Sequence, residues 1–101
     1  MKTLLLNHYK LIKQRGLITS ETTLDDFMMK LEAGYLELLN AYADDVSANR
    51  SPSDSFMAES IELLLIITDM AQHYNIDLPE QIGKSNKRND NLISHLNFIP
   101  L

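Results

Sequence analysis

The fold of this chain is decided by residues 54–74, which read DSFMAESIELLLIITDMAQHY. Apolar side chains recur there at spacings of three and four, the period of an α-helix, and Leu63 to Ile67 form an uninterrupted apolar run. A helix that is apolar on every side is expected to be buried on every side. A chain of 101 residues has few elements with which to surround it, so we expect a second copy to cover part of it.

A second long helix is predicted upstream of this stretch, starting near Leu24. Thr22 and Thr23 precede it as capping candidates, and two aspartates follow in its first turn. Gly34 interrupts its interior, either because it permits close packing or because it is a tolerated replacement. The apolar stripe of this helix holds spacings of three and four for about five turns. It comprises Leu24, Phe27, Met28, Leu31, Tyr35, Leu38, Leu39 and Tyr42.

The remaining segments complete an all-α prediction. We expect a first helix from about Thr3 to Arg15 that stops at Gly16, a connection over residues 44–55, and a short fourth helix after Asp77. A basic polar stretch from Gly83 and an apolar tail over residues 92–101 follow. The prediction is one domain, 1–101, a bundle of about four helices with two long antiparallel ones. Its parts are an N-terminal helix and turn (1–21), core helices (22–91) and the tail (92–101).

Composition excludes several classes of protein. Nine basic and fourteen acidic residues give a net charge of −5, the wrong sign for holding a DNA or RNA backbone. The chain has no cysteine for a disulfide, a thiolate metal site or a thiol nucleophile. Its longest apolar run is far shorter than the roughly twenty residues of a membrane span, and the apolar start ends at Asn7 without a cleavage site. We therefore expect a cytoplasmic protein without a membrane segment.

Carboxylates on the two long helices are the candidate chemical groups. Glu59 and Glu62 are one turn apart, and Asp69 lies two turns further along nearly the same line. A second polar line on the earlier helix comprises Asp26, Lys30, Glu37 and Asp44. If the lines face each other, their oxygens suit Mg²⁺ or Mn²⁺. The alternative, commoner in helical proteins, is that both lines are solvated outer faces. The histidines His8, His73 and His95 show no metal-ligand spacing.

The run from Glu59 to Ile82, with its E-x-x-E pair, apolar helix and Asn75-Ile76-Asp77-Leu78 turn, resembles the second half of the MazG-like nucleotide pyrophosphohydrolases. Upstream, residues 15–18, 22–27 and 30–31 resemble the approach to that family's E-E-x-x-E helix. The resemblance covers about residues 9–90. It implies Mg²⁺-dependent cleavage of a nucleoside triphosphate to the monophosphate and pyrophosphate, on a helical bundle completed by dimerisation, with a tetramer as a further possibility.

The resemblance also implies which residues act. Glu37 matches the last acid of the first motif, and Glu59 and Glu62 match the second, with glutamate replacing aspartate; the first two acids fall on Ala33 and Gly34. These three glutamates are the implied catalytic and metal-binding residues, and Asp69 is added as a fourth metal ligand.

For the nucleotide, the resemblance implies four residues: Lys30, Lys84, Arg88 and Asn89. The alternative for Lys84 and Arg88 is a solvated helix end. Three readings of function stay open: an active pyrophosphohydrolase with a reduced site, an inactive nucleotide-binding or protein-interaction dimer, and a generic helical assembly protein.

Overall fold

The computed structural model describes residues 2–96, and the side chains of residues 3–90 within them. Four helices account for most of this length, and none of the residues from 2 to 96 forms a strand. The helices are α1 (Lys2–Gln14), α2 (Leu24–Ser47), α3 (Asp54–His73) and α4 (Leu78–Leu96). The all-α prediction is confirmed.

The helix ends follow from local sequence. Thr23 caps α2 by accepting from the backbone N–H of Asp26, whose carboxylate accepts in return from the N–H of Thr23, and Ser53 caps α3. Three helices end at a residue with positive φ: Gly16 at 73°, Asn49 at 51° and Asn75 at 54°. The backbone N–H of the residue that follows each of them donates to the carbonyl five residues before that donor, which closes the last turn of the helix.

The helices α2 and α3 pack against each other in opposite directions. His73 bonds the carbonyl of Thr22 at one end, Gly34 meets Leu63 midway, and Ser53 bonds Asp45 at the other end. The helix α1 lies on α3. Among the residues whose side chains are described, the buried apolar ones are Ile18, Phe27, Ala41 and Ala71. The predicted pair of long antiparallel helices is therefore present, and it carries Glu37, Glu59, Glu62 and Asp69.

Two predicted boundaries are wrong. The connection expected over residues 44–55 is shorter, because α2 continues to Ser47 and α3 already begins at Asp54. The fourth helix is not short, since it runs for 19 residues through the basic polar stretch and into the predicted apolar tail. Its first five tail residues, 92–96, are helical, and residues 97–101 lie outside the described part of the chain.

Much apolar surface is uncovered within one chain. Leu64 and Ile67, expected to be buried, are 45% and 41% exposed. Half-exposed apolar residues also follow one face of α2 and one face of α3. They are Leu24, Met28, Tyr35, Leu39, Tyr42 and Val46 on α2, and Met57, Ile61, Leu64 and Ile67 on α3. Leu64 and Ile67 lie well around α3 from Asp69, which contacts α1, and we call the two rows together the apolar face.

The fourth helix projects from the other three. It makes no extensive packing contact with α1, α2 or α3 within the described residues, and Ile82 is 57% exposed. The radius of gyration is 17.6 Å, where a compact chain of this length has about 13 Å. One chain by itself is thus an extended arrangement. None of its described helices is both long enough and apolar enough to cross a bilayer.

Candidate functional site

An acidic pair lies between the two long helices, near the middle of α2 and in the first third of α3. Glu37 on α2 and Glu59 on α3 are close enough for their side chains to interact, and this interaction is the largest cause of a raised pKa at Glu59. Partial burial raises that pKa further, as do the negative charges of Glu37 and then Glu62. The two predicted acidic lines therefore do face each other at this point, and Glu59 is not a fully solvated residue.

A close approach of the helices makes this pair possible. A Cβ atom at Gly34 would lie 3.0 Å from Cδ2 of Leu63 and 3.6 Å from Cδ1 of Ile66. Gly34 is one turn before Glu37, and Leu63 is one turn after Glu59, so the contact lies directly beside the acids. Of the two explanations open for Gly34, the structure favours close packing.

Glu62 lies near the pair but is exposed. Its charge raises the pKa of Glu59 and also that of Asp69, so it stands between them along α3. Among residues 3–90, however, no three acidic or histidine side chains lie close enough together to hold a metal ion. The oxygen donors fit Mg²⁺ or Mn²⁺ chemically. A three-ligand site needs Glu62 to turn towards Glu37 and Glu59, and the four-ligand set stays a prediction.

Asp69 is buried at the contact between α1 and α3. Its Oδ2 accepts from Nε2 of His8 at 3.0 Å, and its Oδ1 has no hydrogen-bond partner among the described residues. Burial raises the pKa of Asp69, against the lowering effects of His8 and Lys30. A buried carboxylate with a free oxygen is a costly arrangement, and it gives Asp69 a different environment from the glutamates.

His8 was not predicted as a site residue. It occurs in α1 at helical spacing with Leu4, Leu5, Leu11 and Ile12, where it reads as part of the packing face. The residue it contacts is 61 positions away. No local pattern in the sequence reports such a contact.

Lys30 contacts residues of the packed structure. Its ammonium donates to the carbonyl of Leu17 at 3.2 Å and lies 5.6 Å from the centre of the Phe27 ring. It also lowers the pKa of Asp69, so its charge reaches the acidic side of the α2–α3 pair. The same lysine thus links the turn before α2 to the acidic groups.

The basic residues of α4 form a separate cluster. Lys84, Lys87 and Arg88, with Gln81, line a shallow cavity of about 410 Å³, and Lys84 pairs with Glu80 at 3.3 Å. Asn89 is exposed one residue further on. None of the α4 cations contributes to the pKa changes of Glu59 or Asp69. Within one described chain, the predicted nucleotide-binding residues of α4 and the acidic residues are not brought together.

Comparison of the chain with protein-family models, with curated proteins and with solved structures yields no match.

Proposed function

We propose that this chain is a MazG-like nucleoside triphosphate pyrophosphohydrolase with a reduced metal site. The observation that supports it is the meeting of Glu37 and Glu59 across α2 and α3. These are the residues that match the last acid of the first motif and the first acid of the second. Two carboxylates held together raise each other's energy, and a divalent cation relieves that repulsion.

In this proposal Glu37, Glu59 and Glu62 hold Mg²⁺ or Mn²⁺, with Asp69 as a fourth acid further along α3. The metal, when bound, supplies positive charge to the phosphates and acidifies a water molecule. With Ala33 and Gly34 in place of two acids, fewer oxygens hold the ion, so we expect metal binding and turnover to be weak. On the nucleotide side, Lys30, Lys84 and Arg88 provide positive charge, and Asn89 provides hydrogen bonds. Because nucleoside triphosphates are cytoplasmic metabolites, this proposal includes a cytoplasmic location for the protein.

A second copy completes the proposed protein. The apolar face of α2 and α3 exposes Tyr35, Tyr42 and Leu64 by about half, and α2 extends this surface over six turns. Apolar surface of this extent commonly marks an interface. We propose a homodimer through this face, which does not include Glu37, Glu59 or Glu62 and so leaves these three residues outside the interface. Pairing of two dimers into a tetramer would be a further step.

The test is pyrophosphate release from a panel of nucleoside triphosphates with Mg²⁺ or Mn²⁺. We expect slow, metal-dependent release that Glu59→Gln abolishes. Glu21→Gln is the matched control, since it makes the same chemical change at an exposed residue in the turn before α2. Circular dichroism melts of both variants exclude unfolding as the cause. No release, together with no metal-dependent shift of the melting temperature, would contradict the proposal.

A second candidate function is an inactive dimer that binds a nucleotide or a protein. The replacement of two acids by Ala33 and Gly34 favours it, because Gly34 is tightly packed against Leu63 and leaves no room for a carboxylate. Metal-dependent nucleotide binding by calorimetry without pyrophosphate release would support this candidate over the enzyme.

A further inference from the structure

A groove on α2 lies beside the apolar face. It is a cavity of about 580 Å³ lined by Asp25, Met28, Met29, Leu31, Glu32 and Tyr35. Met29 is 68% exposed and Met28 54% exposed, so the groove floor is open in the single chain. Its two carboxylates make it acidic as well as apolar. Methionines suit the packing of an incoming helix, because their side chains adapt to its shape.

The fourth helix has the complementary character. Ile82 is 57% exposed on it, four residues after Leu78 on the same side, and Arg88 borders that side with positive charge. The helix projects away from α1, α2 and α3, so its apolar residues have no extensive packing partner among the described residues. An unpacked basic helix and an unfilled acidic groove therefore exist in the same molecule.

We propose that α4 of one copy packs into the α2 groove of a second copy, with Ile82 against Met28 and Met29 and with Arg88 near Glu32. We choose a second copy as the occupant because Met28 and Tyr35 belong both to the groove and to the apolar face. A copy that binds the apolar face therefore also lies next to the groove. In a two-fold arrangement both α4 helices and both grooves are filled at once. The contact then brings opposite charges together, the carboxylate of Glu32 and the guanidinium of Arg88.

This inference rests on the homodimer proposed above and not on the proposed hydrolysis. It adds that α4, which carries Lys84, Arg88 and Asn89, is held by the partner. The single chain already forms α4 as a helix, but in this proposal contact with the partner fixes where the basic cluster lies.

Cysteine cross-linking tests the arrangement cleanly, because the chain contains no cysteine of its own. Met29→Cys and tagged Ile82→Cys, each made as a single variant, are mixed, allowed to exchange and mildly oxidised. Both sites are more than half exposed, so neither change disturbs the fold. We expect a disulfide between the two different variants. Leu4→Cys, 70% exposed on α1, replaces Met29→Cys as the control and is expected to remain uncoupled.

A charge exchange gives an independent readout. Glu32→Arg places like charges together twice in a symmetric dimer, and we expect the dimer dissociation constant to rise about tenfold in sedimentation experiments. Adding Arg88→Glu to the same chain is expected to restore the wild-type constant. Failure of this rescue means that the two charges do not meet, and it overturns the pairing.

The outcomes separate the proposals. A dimer by light scattering without the mixed disulfide overturns the α4 contact and leaves the homodimer standing. A disulfide formed only within one chain, in the double variant Met29→Cys with Ile82→Cys, overturns the exchange between copies. A monomer at all concentrations overturns both. Pyrophosphate release, measured separately, bears on none of these results.

Discussion

The imidazole Nε2 of His8 lies 3.0 Å from Oδ2 of Asp69, and this bond joins α1 to α3. Asp69 is 6% exposed, and its other oxygen has no partner within the described chain. The bond therefore supplies the polar compensation for a carboxylate that burial disfavours. It also fixes α1 on the same side of the α2–α3 pair as the acidic residues.

Removing His8 is expected to be more harmful than neutralising Asp69. His8→Ala leaves a buried carboxylate without a partner and should lower the free energy of unfolding by about 2 kcal/mol. Asp69→Asn keeps an acceptor for His8 and removes the buried charge, so it should cost much less. Urea unfolding at pH 7 measures both, with Asn7→Ala, exposed on α1, as the control. Equal losses for His8→Ala and Asn7→Ala would show that the bond contributes nothing.

Asp45 predicts a loss of stability in acid. The backbone N–H of Ser53 lowers the pKa of the Asp45 carboxyl most, followed by the hydrogen bond from Arg50. A pKa lower in the folded than in the unfolded chain stabilises the fold above the unfolded value of about 4. That contribution disappears as the pH falls through the folded value.

The measurement for Asp45 is the melting temperature at pH 7, 5 and 3. The difference between wild type and Asp45→Asn should be largest at pH 7 and should shrink towards pH 3. Asp44→Asn, one residue earlier and exposed, makes the same change without the contacts to Arg50 and Ser53. A difference that stays constant with pH for Asp45→Asn would refute the assignment.

Only some of the helix ends could be predicted from the sequence. Local signals predicted the start of α2 at Thr23 and the stop at Gly16, because caps and turns depend on neighbouring residues. The end of α2 was missed because Asp45 is buried through bonds to residues beyond the helix, which give no apolar period. The extension of α4 was missed because its residues are polar and show little apolar spacing.

The contacts of the candidate site also differ in how far the sequence indicates them. The two polar lines on the long helices allow Glu37 to meet Glu59, but the same spacing also fits two solvated outer faces, so the sequence leaves both arrangements open. The bond between His8 and Asp69 spans 61 positions and depends on where α1 packs. Helical spacing orders residues along one helix, but it does not say which face of α3 receives α1.

Introducing an acid at position 33 is expected to strengthen the proposed metal binding. Ala33 is exposed one turn before Glu37 on the same side of α2, so a glutamate there adds a carboxylate near the acidic pair. Ala33→Glu should tighten Mn²⁺ binding about tenfold through the added charge and ligand. Calorimetry measures this, with Ala43→Glu, exposed further along α2, as the control. Identical binding by the two variants would argue against a metal site at Glu37 and Glu59.

An acid at position 34 should instead damage the fold. A Cβ atom there already lies 3.0 Å from a methyl group of Leu63, and the carboxylate would have to enter the packed contact between α2 and α3. We expect Gly34→Glu to lower the free energy of unfolding by about 2 kcal/mol or more. Gly34→Ala should cost much less, because only the flexible Leu63 side chain must shift and alanine favours the helix. Denaturant titrations compare the two, and equal stability would mean that the contact is loose.

The acidic pair predicts opposite responses of stability in the absence and presence of metal. The contact with Glu37 raises the pKa of Glu59, so the folded chain binds a proton there more readily than the unfolded chain does. That effect favours the fold at low pH and is lost as the pH rises through the folded pKa. Glu59→Gln removes the repulsion, and without metal it should raise the melting temperature at pH 7 but not at pH 4.

With Mn²⁺ added, the order should reverse at pH 7. The wild-type protein gains melting temperature because the ion binds the folded chain, whereas Glu59→Gln lacks a ligand and gains little. Glu80→Gln, exposed on α4, should follow the wild type under both conditions. A Glu59→Gln variant that melts below the wild type without metal would contradict the like-charge pair. If Mn²⁺ raises the melting temperature of Glu59→Gln as much as that of the wild type, Glu59 is not a metal ligand. That result would not contradict the repulsion between Glu37 and Glu59.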